Sequence, residues 1–170
     1  MRPAAAFLIA LLLCPSAVLA SEVTTVILVR HAEKAAEPAD DPPLSEEGVA
    51  RARELARVLA GTPIGAIYTT QYRRTRQTAE PLAGALAIEP RVVTAGKSYA
   101  AGLAARILEE HRGGTVLVVG HSNTTGDVLR HLGVDDPPPI ADEQYDDLFV
   151  CSVAGGTAKL VSLRYGGASR

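Results

Sequence analysis

The 170-residue sequence has no tryptophan, two phenylalanines and one methionine, and aromatic residues amount to only 4%. Any core it builds must therefore be aliphatic and rich in alanine. Two cysteines and four histidines are too few for a disulfide scaffold or a zinc-ribbon domain. Neither sign of charge dominates: 17 Lys and Arg face 19 Asp and Glu, a formal net charge of −2. That balance excludes nucleic-acid binding driven by bulk charge. What is abundant is apolar: 47% of residues are hydrophobic, well above a disordered chain. The length predicts one domain with a real core.

The first twenty residues read as a leader. Arg2 supplies a positive start, Ala4 to Leu13 is an uninterrupted apolar run, and Pro15 and Ser16 break it. Val18-Leu19-Ala20 offers small residues at cleavage spacing. The pattern predicts a secretory signal peptide cut after Ala20, and so an exported protein, periplasmic or secreted, whose mature domain spans residues 21–170. The apolar run is too short to span a bilayer stably. A lipoprotein signal ending at Cys14 is the weaker alternative, because Leu12 and Leu13 are bulky where small residues are expected. Loss of the leader removes Arg2 and Cys14, shifting the net charge to −3 and leaving Cys151 alone. Cys151 lies in the apolar run Leu148–Cys151, which predicts a buried structural thiol.

The remainder alternates strand and helix. Val23 to Val29 is β-branched and nearly continuous, as expected of a central strand buried on both faces. Ser45-Glu46-Glu47 is a helix start, and Val49, Ala52, Leu55, Ala56 and Leu59 follow at helical spacing until Gly61. A strand is expected at Ile64 to Thr69, and helices at Arg73 to Leu86 and Tyr99 to His111. A further buried strand follows at Thr115 to Val119, then a short helix from Thr125 to Leu132. Pro137-Pro138-Pro139 must be loop. Leu148 to Val153 and Lys159 to Tyr165 flank Gly155-Gly156, a hairpin signal. The expected architecture is a three-layer α/β/α sandwich with a mostly parallel central sheet and a C-terminal hairpin.

In such sheets the ligand sits outside the carboxyl ends of the strands. Arg30-His31-Ala32-Glu33-Lys34 follows the first strand, the stretch from Thr69 to Ala79 with Arg73, Arg74 and Arg76 follows the second, and Gly120-His121-Ser122-Asn123 follows the third. Two of four histidines and an arginine group thus fall at one sheet edge. Arginine forks match phosphate oxygens, and a neutral imidazole is a covalent nucleophile near pH 7. The clustered carboxylates of a magnesium-dependent phosphatase are missing. This inventory suits metal-independent phosphoryl transfer through histidine, with no cofactor.

Arg30-His31 with Glu33, the stretch Tyr68 to Ala79 (YTTQYRRTRQTA) and Gly120-His121-Ser122-Asn123 resemble the histidine phosphatase superfamily, also called the phosphoglycerate mutase-like family. The resemblance spans roughly Val23 to Gly133 and implies a three-layer α/β/α fold. It implies His31 as the nucleophile that becomes phosphorylated, with Arg30 and His121 holding the phosphoryl oxygens. The family's second arginine corresponds to Arg74, which has Tyr72 before it and Gln77-Thr78-Ala79 after it. The substrate implied is a phosphomonoester or phosphoramidate, most simply a small-molecule phosphate, with a phosphoprotein also within the reading.

The sequence departs from the family at the leaving-group proton donor. Many members carry a catalytic Glu between the second helix and the strand before the second histidine, whereas here Pro81 to Gly114 is short and Glu109 and Glu110 close a helix. Another branch places Asp directly after the second histidine, where this sequence has Ser122. Glu33 is then the candidate donor, unless the leaving group needs none. Asn123 is expected either to touch substrate or to cap the following helix. His111 and His131, in last helical turns, suit the helix dipole as cations and take no catalytic role. The loops Ala35–Pro43 and Asp135–Tyr145 are expected to rim the pocket. The rival enzyme reading is a mutase, disfavoured by export and short loops. The rival of another class is a non-catalytic phospho-ligand binding module, which would not require His31.

Overall fold

A computed structural model describes residues 22–169. The expected leader, its cleavage after Ala20 and the alternative at Cys14 lie outside the described residues. The chain runs β1 (Thr24–Arg30), α1 (Glu46–Leu59), β2 (Ile64–Thr69), α2 (Arg73–Leu86), β3 (Arg91–Val92), α3 (Tyr99–Glu110), β4 (Thr115–Gly120), α4 (Ser122–His131), β5 (Asp147–Ala154) and β6 (Thr157–Arg164). One six-stranded sheet has the order β3-β2-β4-β1-β5-β6. β1, β2, β3 and β4 pair in parallel, while β5 and β6 add as antiparallel strands.

The layers follow from strand alternation. Val26 and Leu28 of β1, Val116 and Val118 of β4, and Phe149 and Cys151 of β5 face one core. Leu103 and Ile107 of α3 and Val128 and Leu129 of α4 close it. The residues between them, Ile27, Val29, Leu117 and Val119, face the second core with Leu55 and Leu59 of α1 and Ala79 and Leu82 of α2. Both faces of the parallel strands are covered, which explains their unbroken apolar sequence. Cys151 is fully buried, and burial pushes its thiol up to about 11, so it stays protonated. No helix among the described residues is long and apolar enough to cross a membrane.

The hairpin forms as expected. Ala154 and Thr157 close a two-residue turn in which Gly155 and Gly156 both have positive φ, the primed geometry that matches strand twist. Two elements differ from expectation. A two-residue edge strand, β3, joins the sheet, too short for a periodic signal to reveal. Helix α4 begins at Ser122, three residues earlier than Thr125, because Thr124 Oγ1 accepts the His121 N–H at 2.9 Å and closes the first turn. The dipole expectation also fails for His111. Burial and the neighbouring Arg91 lower its pKa, and its Nε2 bonds the Tyr68 hydroxyl at 2.8 Å, so it serves as a neutral partner. His131 does sit beside Arg130 in the last turn of α4.

The crossovers explain where a site can form. β1 and β4 are adjacent and parallel, but the chain passes out through α1, β2, α2 and β3 on one excursion before α3 brings it back. The register pairs Arg30 with Gly120. The next residue on each strand is a histidine.

Candidate active site

His31 and His121 leave the carboxyl ends of β1 and β4 side by side. The His31 N–H bonds Gly120 O at 2.9 Å, and the two ring centroids are 5.3 Å apart. The space beside Gly120 is tight: a Cβ would lie 3.0 Å from Thr124 Oγ1 and 3.3 Å from Thr125 Oγ1, so a side chain there would push on both threonines. A cleft of about 500 Å³ opens over the histidines, lined also by Arg30, Lys34, Tyr72, Arg74, Asn123 and the Ala95-Gly96 turn.

The hydrogen bonds define the state of each imidazole. His31 Nδ1 lies 2.8 Å from Ala32 O. A carbonyl only accepts, so Nδ1 carries the proton and Nε2 keeps its lone pair. Burial, opposed by the bond to Ala32 and aided by His121, Arg30 and Arg74, lowers the His31 pKa to about 3. His121 is lowered to about 4, by burial first and then by Arg74 and Arg30. Its Nδ1 faces Arg74 Nη2 at 3.4 Å and its Nε2 faces Thr70 Oγ1 at 3.0 Å. Arg74 can only donate, so Nε2 is the protonated nitrogen and donates to Thr70. Thr70 Oγ1 in turn meets Thr75 Oγ1 at 2.9 Å, and Thr75 donates to Tyr72 O. Both rings are neutral at pH 7 and held in single tautomers.

Each arginine lies over a tyrosine ring. The Arg30 guanidinium is 4.2 Å from the centre of Tyr145, and that of Arg74 is 4.4 Å from the centre of Tyr72. Arg30 Nη1 donates to three backbone carbonyls, Ala141 at 2.8 Å, Asp142 at 2.6 Å and Gln144 at 3.2 Å. Its Nε is buried without a hydrogen-bond partner among the described residues. A buried, unpaired guanidinium nitrogen is costly unless an acceptor arrives, and an oxyanion in the cleft is such an acceptor. Of the three neighbouring arginines, Arg73 and Arg76 are exposed while Arg74 is half-buried and lines the cleft.

Arg30, His31, Arg74, His121 and Asn123 are thus gathered as the sequence suggests. Asn123 lies within α4 and lines the cleft; it does not cap the helix, whose N-cap position is His121. Glu33 is not gathered. Its carboxylate pairs with Arg51, at 2.6 Å from Nη2 and 2.7 Å from Nε, and it does not line the cleft. The strand-to-loop turn sends Glu33 under α1, where Arg51 also holds Tyr165 O and Gly167 O. The two loops also separate. Asp135–Tyr145 borders the site through its hold on Arg30, whereas no residue of Ala35–Pro43 lines the cleft. Asp41 of that loop caps α2 by accepting the Arg73 N–H at 2.9 Å. Sequence reasoning missed Thr70, Tyr72, Tyr145 and the Ala95-Gly96 turn. Thr70 and Tyr72 stand within the motif stretch Tyr68 to Ala79, whereas Tyr145 has no such neighbour; the turn reaches the cleft through Gln71, whose Oε1 accepts the Ala95 N–H.

Residues 26–95 match the family profile of the histidine phosphatase superfamily, branch 1. Over those residues the chain is similar to that superfamily. No curated protein matches it. Among solved structures, the protein histidine phosphatase SixA complexed with tungstate is 21% identical with a TM-score of 0.67, covering 82% of this chain and 96% of that one. YhfR of Bacillus stearothermophilus is 21% identical with a TM-score of 0.64, covering 81% and 95%. A mycobacterial glucosyl-3-phosphoglycerate phosphatase is 16% identical with a TM-score of 0.65, covering 85% and 100%. At such identities these likenesses show the fold alone, and the four helices and six strands of the described residues agree with it.

Proposed function

We propose that the protein is a phosphatase that hydrolyses its substrate through a phosphohistidine at His31. The observation that carries this reading is the His31 tautomer: Nδ1–H is held by Ala32 O, which leaves Nε2 as a neutral lone pair at the cleft. Nε2 attacks phosphorus, the bond to the leaving group breaks, and the leaving group departs with the electron pair. The Nε and Nη2 donors of Arg30, together with Arg74 and His121, meet the charge on the three phosphoryl oxygens. Water then attacks phosphorus, the phosphorus–Nε2 bond breaks, and both hydrogens of the water leave with phosphate.

Asp41, on the loop beside the cleft, comes to 3.9 Å from Arg74 Nη1, but among the described residues no carboxylate lines the cleft itself. This supports substrates whose leaving group needs no carboxylic acid donor. A phosphoramidate qualifies, since its nitrogen can carry a proton before the bond breaks, and so does an activated ester such as an aryl phosphate. The likeness to SixA, a protein histidine phosphatase, is in keeping with the first. The leader read at residues 1–20 supports action outside the cytoplasm.

The test is to incubate the protein with a labelled phosphoramidate, quench in base, where phosphohistidine survives, and map the label. Label on His31 is expected, and His31→Ala should lose both label and turnover by about 10³-fold or more with its melting transition retained. Full turnover by that variant would overturn the mechanism. Ligand binding without label or phosphate release would leave the binding module.

A further inference from the structure

The reaction cleft does not end at α4. A second cavity, of about 510 Å³, shares Ser122 and Asn123 with it and continues along α4 past Gly126 to Arg130. The character of the walls changes at that boundary. The cleft is set with two arginines, two imidazoles and Lys34. The annex is walled by Pro137, Pro138, Pro139 and Ile140. Three prolines in succession offer flat apolar rings and no backbone N–H donors. Of its charged members, Arg130 is already paired with Asp127 of its own helix at 2.7 Å, and Asp136 is exposed.

Gly126 keeps the annex open. Glycine inside a helix weakens it relative to alanine, so its presence in the middle of α4 needs a reason. Packing does not supply one. At Gly48 a Cβ would lie 2.1 Å from Glu33 O, a clash that forces glycine. At Gly126 a Cβ would meet only Arg130 Nη1 at 3.8 Å and Pro137 Cγ at 3.9 Å, which is ordinary contact. Both neighbours line the annex, so any longer side chain at 126 would grow into it.

We infer that the annex is a leaving-group subsite of the reaction cleft, and that it takes the flat, uncharged ring of an N- or O-phosphorylated aromatic group. The inference rests on the phosphatase reading, because only there does the group beyond phosphorus become a leaving group. The exposed amide of Asn123 stands where the phosphoryl cleft passes into the annex, and the proline rings meet the face of the ring beyond it.

The experiment compares kcat/KM for phenyl phosphate and 2-naphthyl phosphate, which have alike leaving groups that differ by one ring. The native protein should favour the naphthyl ester about tenfold, the discrimination that burial of a further apolar group provides. In Gly126→Leu, which fills the annex, the ratio should fall to about one, and Pro139→Asp, which puts a charge on the annex wall at an exposed position, should lower it as well. A native ratio of one, or a tenfold ratio unchanged in both folded variants, would overturn the subsite while leaving the phosphatase reading intact. A native protein that turns over neither ester nor a phosphoramidate would overturn both.

Discussion

Arg30 ends β1 and Glu33 follows three residues later in the next loop, yet they end in opposite electrostatic settings. Arg30 faces a cleft whose charged lining is entirely cationic and keeps a buried nitrogen without a partner. Glu33 turns under α1 and is fully occupied by Arg51, itself buried and bonded to two further carbonyls. The end of β1 keeps a buried nitrogen unfilled at the expense of stability; the loop beyond it holds a closed ion pair that supports the fold. Opposite charges close together in sequence therefore need not neutralise each other. The proposed phosphoryl site lies on the side whose buried nitrogen stays unfilled.

The contrast can be broken most severely at Arg30. Arg30→Lys keeps the charge but loses the fork, the grip on Ala141, Asp142 and Gln144, and the stacking on Tyr145. A loss of about 10²–10³ in kcat/KM is expected, with the melting transition little changed. A variant with near-native kinetics would show that charge alone is enough.

Glu33→Gln tests the other side. It leaves the Arg51 guanidinium buried without its counter-charge and should cost about 3 kcal/mol of stability in a denaturant titration. The pH profile of kcat/KM in the folded variant should be unchanged. Disappearance of a basic limb would return Glu33 to the role of proton donor.

The smallest expected effect concerns acid. His31 and His121 are held neutral by burial, with pKa values of about 3 and 4 against an ordinary 6.5. Between pH 6.5 and those values the unfolded chain binds protons that the folded chain refuses, so stability falls as pH falls through that window and is complete above it. Part of this loss should vanish in His31→Ala/His121→Ala, seen as a flatter dependence of melting temperature on pH by roughly a few degrees. Equal slopes for variant and native protein would show that the two rings do not carry the effect. The kcat/KM profile of the native protein should show no limb near 6.5 from either histidine in the free protein.

The fold was legible wherever burial imposes a pattern. Val26 to Val29 and Val116 to Val119 are apolar throughout because both sheet faces are covered, and Gly155-Gly156 announces a turn that demands positive φ at two positions. The site was legible where it follows strand ends: His31 and His121 could be placed together because each comes one residue after a buried run. The start of α4 was misplaced because its first turn is closed by Thr124 reaching back to the His121 amide, an interaction that leaves no apolar periodicity. β3 escaped notice because two exposed residues carry no pattern at all.

Composition, strand pattern and motif order were enough to establish an aliphatic α/β sandwich, its antiparallel hairpin, and the histidines and arginines gathered at one edge. Those features depend on local periodicity and on the rule that parallel strands offer their carboxyl ends to ligands. Three-dimensional packing had to settle the rest. It chose Arg74 from among three arginines by turning only that one into the cleft, withdrew Glu33 into a pair with Arg51, and brought in Tyr145 from more than a hundred residues away to lie over Arg30. Such choices depend on which side chain finds a partner across the fold, and a partner distant in sequence leaves no mark on the residues around it.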